Sequence, residues 1–178
     1  MNQAATITPS QMTRIFLSLP QYHFYGHGTT AVKNEQMFRL SLGTMLQEIA
    51  ERLLTTSELR ATTMSRHQHE RLEEIVEDVG ALITHLNRKG AIQLSGSLTQ
   101  TIDELRDLDN RLIMLLEQAW HLSMIVLKPE CSADKFDEGG HFLTLTLEAF
   151  AETAEGRNQL LGLGWESEFG MSPLPRRE

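Results

Sequence analysis

Two histidines in the stretch YHFYGHG have a spacing that could bind a transition metal. His23 and His27 lie four positions apart, and neutral imidazole is a ligand suited to Zn, Cu, Ni and Fe. A pair at this spacing meets at one metal only when a helix carries both residues. Gly26 and Gly28 disfavour a helix around His27, so we expect a non-regular turn here.

A second histidine pair, in the stretch RHQHE, lies beside a carboxylate. His67 and His69 are two positions apart and Glu70 follows them, so on a helix the two imidazoles point to different faces. The sequence also lacks the Glu-x-x-His pair of di-iron bundles, because Glu117 and His121 are four positions apart. We therefore predict no bound cofactor. A helical bundle that binds a metal or a small ligand through the four histidines of these two stretches is the alternative.

The stretch HLNRKGA, residues 85–91, resembles the site of a histidine phosphotransfer domain, in which an exposed helical histidine carries a phosphoryl group. In that family a lysine follows the histidine by three positions and a glycine by four, within a continuing helix. Here Lys89 and Gly90 each come one position later, and two cations followed by glycine are typical of a helix end. The resemblance covers only these few residues. We expect His85 to be a partly exposed helical histidine, with phosphotransfer as a less favoured alternative.

Other patterns that could support catalysis are incomplete. The stretch YGHGTT could present backbone N–H groups to an anion, but it lacks the lysine of a Walker A loop. Cys131 has Glu130 and Asp134 as neighbours in the chain, and negative charge disfavours a reactive thiolate. No serine lies in a G-x-S-x-G stretch. We therefore predict that the protein is not an enzyme.

Acidic residues concentrate in two stretches, ERLEEIVED at residues 70–78 and DELRDLD at residues 103–109. If the two helices pack antiparallel across the loop at Gly90, the clusters lie at similar heights and could receive a basic protein partner. A solvated outer face is the alternative for each helix. Two aromatic residues of the C-terminal tail are further candidates for contact. The predicted partner-binding residues are Glu73, Glu74, Glu77, Asp103, Asp107, Trp165 and Phe169.

The composition and net charge of the sequence limit the partners and the cellular location that we expect for the protein. A formal net charge of −8 argues against phosphate-driven binding of nucleic acid, which needs a basic face. The single cysteine cannot form an internal disulfide, and no apolar leader headed by Lys or Arg begins the sequence, so we expect a cytoplasmic protein. The most apolar run, residues 112–127, is too short and too polar to span a membrane.

Apolar residues recur at helical spacing through most of the chain, which predicts an all-α protein. A Thr-Pro-Ser-Gln capping box begins a short helix that Pro20 ends. The next helix begins near Thr30, and it either breaks at residues 55–57 or continues through the polar stretch that follows. A further helix is predicted to carry the apolar stripe of residues 72–86 and to end at Gly90. Another is predicted from Ser97 to Pro129, about 30 residues long.

The apolar stripes of these helices predict the core, which should include Ile49, Val79, Leu112 and Leu116. From Leu112 onward the helix is apolar nearly all round, so we expect its second half to be central to the core. Residues 141–150 alternate as a strand would, but they also fit a helix. We favour a helix that starts beyond Gly139-Gly140 and stops at Gly156.

Together these patterns predict a single domain over residues 1–178, a bundle of four to six long, mostly antiparallel helices with an irregular apolar tail. Residues 171–178 should form a flexible end. The predicted function is that of a non-enzymatic helical interaction protein, an adaptor, regulator or assembly subunit. One compact bundle could cover the apolar surface of the long helices only if the C-terminal tail also packs across it. We therefore predict a homodimer that uses the long helices or the tail.

Overall fold

Four long helices make up most of the chain that the computed structural model describes, which comprises residues 19–25, 28–86, 98–128 and 131–162. A 3-10 turn at Tyr22–Phe24 precedes helices α1 (Gly28–Leu59), α2 (Arg66–Leu86), α3 (Leu98–Val126) and α4 (Ala133–Leu160). No strand occurs within these ranges. The all-α prediction is confirmed, at the lower end of the expected four to six helices. The predicted helix before Pro20 and the tail after residue 162 lie outside the described residues.

Consecutive helices in the bundle form antiparallel pairs. Ser57 of α1 hydrogen-bonds the ring of His69 of α2 at 2.8 Å, and at the opposite end Arg39 donates to the carbonyl of Leu86 at 3.2 Å. Helices α3 and α4 pair in the same way, with the start of α4 beside the end of α3. We call the end that holds the connections at residues 60–65 and 127–132 the lower end, and the opposite end the upper end.

Helices α2 and α4 are neighbours that run parallel. Arg71 donates to the Thr144 hydroxyl at 3.0 Å near the lower end, and His85 lies 3.1 Å from Glu155 near the upper end. Helices α1 and α3 also run parallel, with both C-termini at the lower end. This arrangement places α1 diagonally opposite α4, and α2 diagonally opposite α3.

The apolar stripes of the four helices meet in one core. All four residues predicted for it are almost wholly buried: Ile49, Val79, Leu112 and Leu116. The ring of Trp120 fills the centre of the lower half, where the Arg52 guanidinium lies 4.2 Å from the ring centroid. The core prediction is therefore confirmed, and burial of large aliphatic and aromatic side chains is the main stabilising contribution.

Helix α1 continues past the expected break at residues 55–57 and ends at Leu59. The chain then breaks within the polar stretch, before α2 begins at Arg66, so a break is present but lies later than predicted, and the helix does not run on through the polar stretch. The polar residues at positions 55–57 find partners without leaving the helix. Ser57 bonds His69 across the pair, and the carbonyl of Thr56 accepts from the amide of Arg60 at 3.1 Å. Contacts with α2 thus offset the weak helix propensity of the stretch.

Helix α4 confirms the helical alternative for residues 141–150, but it is longer at both ends than predicted. It begins at Ala133, where the Ser132 side chain accepts from a backbone amide of the first turn, and it runs through Gly156. Gly139 lies inside the helix because α3 passes very close: a Cβ at this position would be 3.0 Å from Cγ2 of Val126. Here glycine permits close helix packing and does not end the helix.

The second half of α3 is less central than its composition suggests. Met114 is 69% exposed and Ile125 is 41% exposed, so this helix keeps one face toward solvent although that face is partly apolar. Among the described residues, no helix combines the length and the apolar character needed to cross a membrane.

Candidate functional site

Four charged side chains meet inside the upper end of the bundle. Glu35 and Arg39 come from α1, Asp109 from α3 and Arg157 from α4, and none is more than 7% exposed. Burial of an unpaired charge costs several kcal/mol, so such groups persist only when they pair with one another and with hydrogen-bond donors and acceptors. We call these four residues the charged layer.

Arg157 is the centre of the charged layer. Its guanidinium forms ion pairs with Glu35 and with Asp109, and a second N–H reaches Oδ2 of Asp109 at 3.4 Å. It also lies over the ring of Phe38, 5.0 Å from the centroid. One planar cation therefore joins α1, α3 and α4, which suits the fixed fork of donors that arginine presents.

Arg39 extends the charged layer to the remaining helix. It pairs with Glu35 one turn earlier on α1, donates to Oδ1 of Asn158 at 2.7 Å, and donates to the carbonyl of Leu86 at the end of α2. All four helices thus contribute at least one group. Because each group needs its partners at hydrogen-bond distance, the charged layer fixes how far the helices slide past one another.

Two tyrosines of the segment before α1 close the charged layer from above. The Tyr22 hydroxyl donates to Asp109 at 2.7 Å, and the Tyr25 hydroxyl donates to Glu35 at 2.9 Å. Their rings stack with centroids 6.0 Å apart, and the Arg106 guanidinium lies 5.2 Å from the Tyr22 centroid. We call residues 19–25 the strap.

The two carboxyl groups of the layer differ in their electrostatics. Burial alone would raise the pKa of Glu35, but the charges of Arg157 and Arg39 and their hydrogen bonds outweigh it and lower this pKa to about 2. Burial raises the pKa of Asp109, and Arg157 and Tyr22 offset only part of that effect. Asp109 is therefore the easier of the two carboxylates to protonate.

The other members of the site are held in the charge states that the ion pairs need. Burial and the neighbouring carboxylates raise the pKa values of Tyr22 and Tyr25 well above the ordinary value for a phenol, so both hydroxyls stay protonated and donate. Burial alone would lower the pKa of Arg157, but Glu35 and Asp109 raise it far above its ordinary value. The guanidinium is therefore a permanent cation.

The charged layer separates two apolar clusters. The main core lies below it, and a small cluster lies above it, formed by Tyr25, Ala31, Leu105 and Leu161. Chemically, the acids, the bases and both phenols of this site bond to one another. These contacts connect helices α1, α3 and α4 at one height of the bundle.

Sequence reasoning missed most of this site, although a signal was present. Glu35 precedes Phe38 on the α1 stripe, Asp109 lies between Leu105 and Leu112 on the α3 stripe, and Arg157 follows Ala154 on the α4 stripe. Charged residues at core positions of three helices indicate a buried ionic cluster. Asp109, which was assigned to the acidic surface stretch at 103–109, is instead wholly buried.

The histidines proposed as metal ligands lie apart. His23 is exposed, His69 bonds Ser57, and His67 lies 3.4 Å from Asp137 at the surface. His27 lies outside the described residues. Across the described ranges, no three residues of the types that ligate metals come together in a way that could hold an ion.

The two acidic stretches do not form a common face, because α2 and α3 occupy opposite corners of the bundle. Glu73, Glu74 and Glu77 are exposed on α2, and Asp103 and Asp107 are exposed on α3. Trp165 and Phe169 lie outside the described residues.

His85 lies in the last turn of α2, with its Nε2 atom 3.1 Å from Glu155 of α4. The expected helix end at Gly90 lies outside the described residues.

Comparisons of the sequence with protein-family models, with curated proteins and with solved structures gave no match.

Proposed function

We propose that the protein is a non-enzymatic, cytoplasmic interaction protein, an adaptor, regulator or assembly subunit that presents rigid helix faces to other chains and forms a homodimer. The observation that carries this proposal is an apolar pair on the outer side of α4. Phe142 is 46% exposed and Leu145 is 44% exposed, and residues three apart lie on one helical face. Burial of such a face against a partner is favourable.

Helix α1 offers a second pair of the same kind. Met37 is 54% exposed and Leu40 is 68% exposed, again one turn apart. Both pairs lie on long helices that the core and the charged layer hold in place, so little conformational entropy is lost when a partner binds. A two-fold dimer, the commonest oligomer, uses one such face on each chain.

A heterologous partner is proposed to be basic and to contact α2. Glu73, Glu74 and Glu77 project from this helix into solvent, and a rigid row of carboxylates attracts a cationic surface at long range. The acidic residues of α3 lie at the opposite corner, so one compact partner would contact one cluster and not both.

Light scattering after size-exclusion chromatography tests the dimer. We expect wild type at micromolar concentration to have about twice the 20.2 kDa mass of the chain. Leu145→Glu should reduce that mass to one chain, because it places a charge in the apolar contact. Met114→Glu is the matched control, since Met114 is also exposed but lies on α3. A wild-type mass near 20.2 kDa would reject the homodimer.

Cross-linking from native extract tests the basic partner. The combined variant Glu73→Gln, Glu74→Gln and Glu77→Gln should lose a captured protein that wild type retains. Asp103→Asn with Asp107→Asn is the control, and it should retain that protein. Equal capture by both variants would exclude α2 as the contact face.

A further inference from the structure

We propose that the strap, residues 19–25, is a reversible closure over the charged layer, which opens while the four helices stay folded. Opening would expose the carboxylates of Glu35 and Asp109 and the guanidinium of Arg157 at the upper end of the bundle. This conformational step goes beyond the interaction function proposed above and does not depend on it.

Two tyrosines connect the strap to the charged layer, and Leu19 and Pro20 pack at its start. Tyr25 is buried and Tyr22 is half-buried. Their hydroxyls donate to the two carboxylates of the charged layer, and Arg157 donates to the Tyr25 hydroxyl at 3.4 Å. Leu19 packs against the edge of the main core and Pro20 is buried. The segment contains a short 3-10 turn, which ends with a backbone bond from the Tyr25 amide to the Tyr22 carbonyl at 3.1 Å.

The charged layer makes opening inexpensive relative to unfolding of the main core. Buried ions have lost their hydration, and their mutual attraction repays that loss only when the geometry is good. When the strap leaves, water reaches Glu35 and Asp109 and replaces the two tyrosine hydroxyls as donors. Exposure of the apolar residues of the main core brings no such gain in hydration free energy, because the transfer of apolar surface into water is unfavourable. The upper end is therefore the part of the bundle expected to open first.

The tyrosines themselves report on the strap, because Tyr22 and Tyr25 are the two tyrosines of the whole sequence. Asp109, Arg106 and Arg157 face the Tyr22 phenol, while Glu35, Asp109 and Arg157 face that of Tyr25. Both phenol protons are donated to buried carboxylates, which disfavours the phenolate form, so we expect the tyrosines to ionise mainly when the strap has left the charged layer.

An alkaline titration of wild type with two readouts tests the proposal. The near-ultraviolet absorbance of tyrosinate follows the strap, and far-ultraviolet circular dichroism follows the helices. We expect both tyrosines to ionise in a transition during which the helical signal keeps its neutral value. Ionisation that occurs only together with loss of the helical signal would overturn the proposal, since strap and bundle would then unfold as one unit.

Amide hydrogen exchange at neutral pH, read by mass spectrometry, tests the same step in the variant Tyr22→Phe. This change keeps the ring and removes one hydrogen bond to a carboxylate, so exchange at the Tyr25 amide should accelerate about ten- to hundredfold. Peptides from the middle of α2 and α4 should exchange as in wild type. Thr44→Val is the control, because it removes an exposed hydroxyl that bonds within α1. Equal acceleration in strap and core, or no acceleration in the strap, would refute the reversible closure.

Discussion

Arg157 of α4 and Glu35 of α1 form an ion pair between opposite corners of the bundle, 122 positions apart in the chain. Because Arg157 also pairs with Asp109, its removal leaves two buried carboxylates without their main partner. We expect Arg157→Ala to lower the free energy of unfolding by about 3–5 kcal/mol, measured by urea denaturation. Arg66→Ala is the control, since the Arg66 side chain is 91% exposed and should change stability by less than about 1 kcal/mol. Similar losses for the two variants would contradict a structural role of the charged layer.

The core position of α3 can be tested with neighbouring residues of one helix. Leu112→Ala and Leu116→Ala should each lower the free energy of unfolding by about 2–5 kcal/mol, because they remove wholly buried methyl groups and leave cavities. Met114→Ala should have an effect below about 0.5 kcal/mol, because that side chain is 69% exposed. If all three variants have the stability of wild type, then Leu112 and Leu116 do not lie in the core and the position of α3 in the bundle is wrong.

Replacement of a helical glycine by alanine should change stability differently according to whether there is space for the added methyl group. Gly80 has nothing within 4 Å of a built Cβ, so Gly80→Ala should raise the free energy of unfolding by about 0.5–1 kcal/mol through helix propensity. Gly139→Ala gains the same propensity but sets a methyl group 3.0 Å from Val126. It should therefore be less stable than Gly80→Ala in thermal unfolding. Equal melting temperatures would mean that α3 and α4 can separate without cost.

The stability contributed by Glu35 should depend on pH with a definite sign. Its pKa in the folded chain is lowered from 4.5 to about 2, so the contribution is complete above pH 4.5 and is lost as the pH falls toward 2. We expect the difference in unfolding free energy between wild type and Glu35→Gln to be largest at neutral pH and to shrink over this interval. Urea denaturation across the interval measures it.

A matched substitution on the same helix separates this effect from a general loss of charge. Glu51 is exposed and bonds Gln47 one turn away, so Glu51→Gln should stay within about 0.5 kcal/mol of wild type at neutral pH. A difference for Glu35→Gln that is the same at neutral and acidic pH would show that the Glu35 carboxylate is not held in its ionised form.

The periodicity of the sequence determined which face of each helix is buried. Ile49, Val79 and Leu112 occupy stripes with helical spacing, and a chain that must remove these side chains from water has few other ways to arrange them. These stripes are local, so a single sequence is sufficient to predict them. At residues 141–150 the local pattern also fits a strand, and we favoured a helix there because the rest of the chain is helical.

Helix ends and helix directions were decided by tertiary contacts. Gly139 would weaken an isolated helix, yet α4 runs through it because the missing Cβ lets α3 pack closely. The stretch at residues 55–57 stays helical because Ser57 finds a partner on α2. The parallel pairing of α2 with α4 depends on contacts such as Arg71 with Thr144, which lie 73 positions apart and leave no local pattern.

The charged layer shows most clearly which features the sequence can predict and which depend on tertiary contacts. The apolar stripes of three helices include the positions of Glu35, Asp109 and Arg157, but we did not use this signal and assigned Asp109 to an acidic surface stretch. Which carboxylate pairs with which cation, and whether a tyrosine covers it, depends on the height at which each helix meets the others. The hydrogen bonds of such ion pairs form only when donor and acceptor are aligned and within about 3 Å of each other. Only the tertiary structure, which brings residues more than a hundred positions apart into contact, could therefore turn isolated charges into a connected site.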